Sequence, residues 1–560
     1  MKPENRIYMY VYDEYDQRII EDRVKQFRDQ TRRYLAGELS EEEFRPLRLQ
    51  NGLYVQRFAP MLRVAVPYGQ LTSRQARMMA RIARDYDKGY AHISTRQNVQ
   101  FNWPALEDVP EILAELATVQ MHAIQTSGNC LRNVTTDQFA GVAADELIDP
   151  RPWCEIVRQW TTFHPEFAYL PRKFKIAING STSDRAAIEV HDIGLEPVHN
   201  AAGELGFRVL VGGGLGRTPV VGAFINEFLP WQDLLSYLDA ILRVYNRYGR
   251  RDDIWKARIK VLVASLGPEA FAREVEAEWE TSDQAKVDLP DEELARIRAA
   301  FAPRDFDSLP AKSAAFEAAK AADPAFARFC RNNVKAHKIA GYAIVDVSLK
   351  KPGETPGDCQ HWQMDAVADL GERYSMDEIR VSYEQNLILP HVKLDDLHAV
   401  WKALDAVELA TPNHGLVTDI IACPGLDYCA LANARAIPIA QQIALRFDDP
   451  AKAELIGELG IKISGCINAC GHHHVGTIGI LGVDKKGEEF YQVTLGGSPE
   501  ADATLGHVLG PALPAAKVAD AVEHMVDVYL RERQDGERFL DTFRRTGVAP
   551  FKEAVYADAH

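Results

Sequence analysis

Cysteine is scarce in this chain, eight among 560 residues, which is too few to staple a fold of this length. A disulfide framework is therefore excluded, and reduced thiols are left available to a metal. Long apolar runs are missing too. No eighteen consecutive apolar residues occur, and the opening MKPENRIYMYVYDEYDQRII has no apolar region after a basic one. Neither a membrane span nor a secretory leader is expected, and the expected compartment is cytoplasmic. Positive charge is in deficit: the formal net charge of −16 argues against nucleic acid or an anionic membrane as partner, while leaving room for a local basic pocket. A complete nicotinamide fingerprint is also lacking. In VGGGLGRT, from Val211, Arg217 replaces the third glycine of G-x-G-x-x-G, so the segment reads as a tight turn.

What is present is an ordinary globular composition, 46% hydrophobic and 26% charged, in a chain too long for one core. Four of the cysteines form two short-range pairs, Cys423 and Cys429 in IACPGLDYCALA, then Cys466 and Cys470 in IKISGCINACGHHH. Brought to one point, four thiolates suit a soft metal, either an iron–sulfur cluster or a structural zinc. Gly425, Gly465 and Gly471 favour the cluster, because they let the backbone turn around a bulky group and aim amide N–H groups at sulfur. Zinc sites more often use C-x2-C knuckles. Cys154, Cys330 and Cys359 read as small buried hydrophobes. His472, His473 and His474 cannot all face one way on a strand, so a solvated or supporting role is expected.

Residues 1–52 read as a polar extension, helical over Ile20–Leu35, with Ser40 and Glu43 forming a capping box for a second helix. From Leu53 a unit begins: MLRVAVPYG as a strand, Ser73 to Tyr86 as a helix, AHISTRQNVQFNW as a second strand and LEDVPEILAEL as a second helix. The order returns in the second half, with Met364–Tyr374, the extended IRVSYEQNLILPHV and the helical LDDLHAVWKAL. Gln97-Asn98 matches Gln385-Asn386, Leu106 matches Leu394, and where the first copy has Arg96 the second has Glu384. KFKIAING, from Lys173, is expected to repeat as IKISGCIN around Lys462. The expectation is a pseudo-twofold molecule with one metal centre, basic residues from the N-terminal half and thiolates from the C-terminal half. An Ala/Glu/Asp-rich helical connector joins them.

These motifs together, with MLRV, STRQNVQF, NCLRNV and LPRKFK upstream of the cysteines, resemble the sulfite and nitrite reductase hemoprotein family over about residues 53–555. The resemblance implies an α+β fold, internally duplicated. Two ferredoxin-like half-units, 53–122 and 331–412, pack together, beside a siroheme and substrate domain at 123–290 and a cluster and siroheme domain at 413–560. The extension 1–52 and a helical connector, 291–330, complete the chain. It implies siroheme coupled to a [4Fe-4S] cluster on Cys423, Cys429, Cys466 and Cys470, with Cys470 as the bridging thiolate. Arg63, Arg132, Lys173 and Lys175 match positions that point at the substrate anion. Ser94, Arg96, Gln100 and Arg172 match positions that hold siroheme carboxylates, and Asn468 stands near the ring.

His92 stands where some members have Arg. Arg258 and Lys260 are further candidates for the basic lining. Some members also crosslink a Cys at position 130 to a Tyr near MLRV, but Ala59 and Pro60 precede Met61 here, so no such bond is expected. The implied activity is six-electron reduction of sulfite to sulfide, with nitrite to ammonia as the alternative and a zinc-stapled binding protein as the non-enzyme reading. The Lys-x-Lys pair favours sulfite, the dianion. With no flavin domain, electrons must come from a separate ferredoxin or flavoprotein reductase.

Overall fold

The computed structural model describes residues 9–283 and 287–557. The first eight residues of the expected extension, 284–286 in the expected siroheme and substrate domain and the last three of the expected cluster domain lie outside the described residues. Each half contributes a hairpin in which a Ser-x-x-Gln-Asn turn reverses the chain. Tyr90–Ile93 and Val99–Phe101 flank the first turn, Ile379–Val381 and Leu387–Lys393 the second. The sequence reading had each of these as one strand. The turns arise because Ser94 Oγ accepts the Asn98 amide at 3.2 Å and Ser382 Oγ the Asn386 amide at 3.1 Å, a local bond that competes with the ladder. Gln97 and Gln385 take φ of 55° and 66°.

The two ferredoxin-like sheets exchange edges. One runs Leu53–Val55, Pro60–Val64, Val99–Phe101, Tyr90–Ile93 and then Asp358–Gln360 from the other half. Its twin runs Val334–Ala336, Tyr342–Val347, Leu387–Lys393, Ile379–Val381 and then Gln70–Leu71 from the first half. Each exchanged strand leads into the helix that follows it, Ser73–Tyr86 or His361–Tyr374, and these two helices pack against each other. Glycine is required at the crossings. Gly69 and Gly357 both have positive φ, 75° and 81°, and a Cβ on Gly69 would stand 2.5 Å from the Val381 carbonyl. A single hydrophobic core spans both half-units and takes in Ile20, Val24, Phe27 and Phe44 of the extension, whose helices are Glu14–Leu35 and Glu41–Leu49 with the Ser40–Glu43 capping box in place.

Two further sheets share one topology. Thr135–Thr136, Ile176–Ile178 and Ile193–His199 run parallel, followed by antiparallel Leu205–Val211 and Ala223–Pro230. Ile421–Ala422, Ile461–Ser464 and Ile478–Lys485 repeat the parallel set, followed by antiparallel Glu488–Leu495 and His507–Val508.

The Gln side chains lock each hairpin to the first strand of its sheet. Gln97 donates to the Thr136 carbonyl at 3.0 Å and accepts its amide at 3.1 Å; Gln385 does the same to Ala422 at 3.0 and 2.9 Å. Thr136 pairs with Ile178, and Ala422 with Ile463. The true counterpart of Lys462 is therefore Ala177, not Lys173, a shift from the register read in the sequence. Similar hydrophobic alternation in KFKIAING and IKISGCIN had hidden the offset.

Candidate active site

In the first ferredoxin-like sheet, Arg63, Gln100, His92 and Asp358 lie opposite one another across successive strands. Arg63 Nε donates to Gln100 Oε1 at 2.9 Å, and its guanidinium lies 5.1 Å from the centre of the Tyr54 ring. Both nitrogens of His92 are engaged, Nδ1 with Asp358 at 2.8 Å and Nε2 with the Gln385 amide at 3.2 Å. His92 thus joins the two halves.

The turn at Ser94–Asn98 carries Arg96 into a small cleft lined also by Thr95, Thr135, His191, Tyr383 and His472. Arg96 donates to the Asn133 carbonyl at 2.7 Å and to Thr135 Oγ1 at 3.1 Å, and it faces His191 Nε2. Burial, then the neighbouring Arg132 guanidinium, pushes its pKa down to about 9. Ser94 Oγ also accepts the Arg96 amide at 3.4 Å, so it shapes the turn and keeps its O–H to donate. Thr95 Oγ1 donates to the Cys470 carbonyl at 2.7 Å, tying this turn to the cysteine loop.

Arg132 is anchored by the Gly128 and Thr126 carbonyls, both at 2.7 Å. Beside it, burial pushes Lys173 down to about 8, opposed by Cys470 and reinforced by Arg132, Arg258 and Arg172. Lys175 is held well below the usual lysine range by burial, then by Lys173, Arg258 and Arg96. Arg172 is lowered by burial, then by Arg258 and Arg132. All the basic candidates therefore share one field.

Sequence reasoning missed what organises them. Buried Asp192 holds Arg258 through Oδ1 at 2.6 and 2.9 Å and takes the Lys175 amide on Oδ2 at 2.9 Å. An acid just before a strand carries no sequence signal of that role. Lys260, by contrast, is spent on the glycine-rich turn, bonding the Gly214, Leu215 and Thr218 carbonyls. The aromatic neighbour of Cys130 is Tyr54, whose phenol feels that thiol as well as Arg132 and Arg63.

Cys423 and Cys466 follow adjacent parallel strands, Ile421–Ala422 and Ile461–Ser464, so one sheet edge delivers both. The Gly465 amide donates to Cys423 Sγ at 3.2 Å, and Asn468 hydrogen-bonds the Cys466 sulfur. A Cβ on Gly465 would stand 2.7 Å from Gly425 Cα, so these two glycines permit the close approach. Burial raises the Cys423, Cys429 and Cys466 thiols, the last to about 11, and Cys470 adds to each rise. Cys423 and Cys466 are buried, Cys429 is partly so, and Cys470 is exposed. Four cysteine thiols, with a backbone amide aimed at one of the sulfurs, are a donor set that fits an iron–sulfur cluster.

The family model of the nitrite and sulphite reductase 4Fe-4S domain matches residues 127–282 and 415–560, and that of the nitrite/sulfite reductase ferredoxin-like half domain matches 56–119 and 341–407. The chain belongs to the nitrite and sulphite reductase family. It is 30% identical over 495 residues to a Mycobacterium tuberculosis sulfite reductase (ferredoxin), covering 86% of this chain and 81% of the relative. To the chloroplastic ferredoxin–nitrite reductase of Arabidopsis thaliana it is 26% identical over 488 residues, covering 84% and 76%. The structure of Mycobacterium tuberculosis NirA covers 92% of each chain with a TM-score of 0.76 at 26% identity. A family member with this fold is an oxidoreductase. Among the described residues no helix is long and apolar enough to cross a membrane.

Within this family site the three histidines are not on a strand. His472, at φ 59°, opens a short turn and lies in the Arg96 cleft; His473 is buried, and His474 Nε2 bonds the Gly216 carbonyl at 2.9 Å.

Proposed function

We propose that this chain is a sulfite reductase that binds siroheme beside a [4Fe-4S] cluster on Cys423, Cys429, Cys466 and Cys470, with Cys470 shared between the two groups. The carrying observation is the cationic field in which Lys173 and Lys175 both lie below the usual lysine range and Lys173 senses Cys470. Crowded cations of this kind are relieved by an anion, and a dianion relieves them more than a monoanion. When bound, siroheme and the cluster supply the iron that takes the anion and the electrons that reduce it.

The residues do the rest. Arg63, Arg132, Lys173 and Lys175 hold the oxyanion, with Gln100 fixing Arg63 and Asp192 fixing the backbone of Lys175. Arg96 and Arg172 neutralise the tetrapyrrole carboxylates, with Ser94 setting the Arg96 turn. Asn468 steadies Cys466 beside the ring. A lysine whose pKa is lowered toward neutrality can give its Nζ proton to a substrate oxygen as an S–O bond breaks, then recover one from water. Electrons arrive from a separate protein, a ferredoxin or a flavoprotein reductase.

Nitrite reduction to ammonia is the second reading, favoured by the nitrite-reductase relatives. An absorption spectrum of reconstituted protein and a reduced-dye assay with each anion test both. A Soret band and faster sulfite turnover are expected. Iron and acid-labile sulfide without a Soret band would overturn the siroheme assignment, and faster nitrite turnover would reverse the choice of substrate.

A further inference from the structure

The twofold relation creates a second pocket with its charge reversed. Arg63 lies opposite Gln100 and Asp346 opposite Ile388, and the repeated glutamines make Gln100 and Ile388 equivalent. Asp346 is therefore the counterpart of Arg63, as Glu384 is of Arg96. Where the first half gathers cations, the second gathers carboxylates. Asp346, Glu384 and His414 bring ligand atoms within 4.8 Å of one another. Asp346 is 0% exposed, yet neither of its carboxylate oxygens accepts a hydrogen bond. His414 Nδ1 stands 2.9 Å from Asp346 Oδ2, an ion pair when the imidazole is charged, yet the two atoms are not aligned as a hydrogen bond.

Two polar atoms this close that are not aligned on each other have the geometry of ligands converging on a third atom. Donors about 2.0–2.2 Å from a metal, subtending a right or tetrahedral angle, stand roughly 2.8–3.6 Å apart. The surroundings complete the charge balance. Lys350 Nζ pairs with Asp419 Oδ1 at 2.6 Å and bonds the Glu384 carbonyl, which neutralises the third acid. Gln138 Nε2 reaches Glu384 Oε2 at 3.3 Å and orients it. The other cation near Glu384 is the buried Lys462. Burial disfavours a charged His414, but Asp346 and then Glu384 push it up to about 9, so a divalent ion must displace the imidazole proton as it binds between the two carboxylates. One imidazole with two carboxylates suits zinc or manganese.

We propose that Asp346, Glu384 and His414 bind one divalent first-row metal ion, at the position twofold-related to the oxyanion pocket. Holoprotein passed through chelator would be titrated with Mn²⁺, the free ion counted by electron paramagnetic resonance, and Zn²⁺ added in competition. One Mn²⁺ per chain, displaced by Zn²⁺, is expected. Asp346→Asn and His414→Gln should each weaken it at least about hundredfold, with cluster and Soret absorbance unchanged. If either variant fails to fold, Glu384→Gln serves in its place. Wild-type protein that takes up neither ion, or folded variants that bind as tightly as wild type, would overturn the proposal.

Discussion

Replacing Lys175 by Asn removes one positive charge from the proposed oxyanion pocket and leaves a shorter polar side chain. The loss can be sized from the site. A charge pair at about 4 Å, at an effective dielectric of about 40 for a half-buried lysine beside water, is worth about 2 kcal/mol. A dianion loses that twice and a monoanion once, so the difference between sulfite and nitrite is again about 2 kcal/mol, or roughly thirtyfold. In a reduced-dye assay, kcat/KM for sulfite should therefore fall about thirtyfold more than kcat/KM for nitrite. Soret and cluster absorbance, measured on the same preparation, establish that the variant is loaded. Equal losses on the two anions in loaded protein would refute the charge argument. They would leave Lys175 as a group that merely fills space.

Lys173 is pushed down to about 8, and a lysine is charged only below its pKa, so anion affinity is present below that value and lost above it. The kcat/KM for sulfite should decline as pH rises through about 8, and Lys173→Arg should carry the decline upward; a profile unmoved by the substitution removes Lys173 from the site. Cys466→Ser should abolish cluster absorbance and dye-linked turnover, whereas Cys154→Ser, in the core behind Trp153, should keep full iron and labile sulfide. The Cys154 change should cost about 1–3 kcal/mol of stability for its buried hydroxyl, read by denaturant melts. Gln385→Ala leaves both backbone groups of Ala422 without their side-chain partner, and a loss of about 2–4 kcal/mol is expected. A loss below about 0.5 kcal/mol would show that water replaces those bonds.

Local chemistry made part of this legible in the sequence. The helix Ser73–Tyr86 and the Ser40 capping box follow from periodicity and side-chain type, and the structure has both where they were read. The Gln-Asn repeat was visible as identity, but its purpose was not, because the bonds of Gln97 and Gln385 reach a strand of another sheet. The hairpins were read as single strands for the same reason: hydrophobic residues flank the turn on both sides, and only the serine-to-amide bonds mark the reversal. Edge exchange between the half-units leaves no local trace at all, since Gln70–Leu71 and Asp358–Gln360 are too short to show a period. Asp192 was missed because its role depends on Arg258, sixty-six positions away.

The cysteines show how the duplicated frame became asymmetric. By the strand registers Cys423 corresponds to Asp137 and Cys466 to Ser181, and in the first half Ser181 Oγ donates to Asp137 Oδ2 at 3.0 Å. The same two backbone positions thus meet in both halves, joined by a hydrogen bond in one and offering thiolates in the other. Arg63 and Arg96 against Asp346 and Glu384 repeat the pattern with charge. The exchanged strands and the shared core of the half-units prevent either half from standing alone, so every such substitution acts on a scaffold that the other half holds in place. That is why chemistry can diverge completely at matched positions while the topology does not.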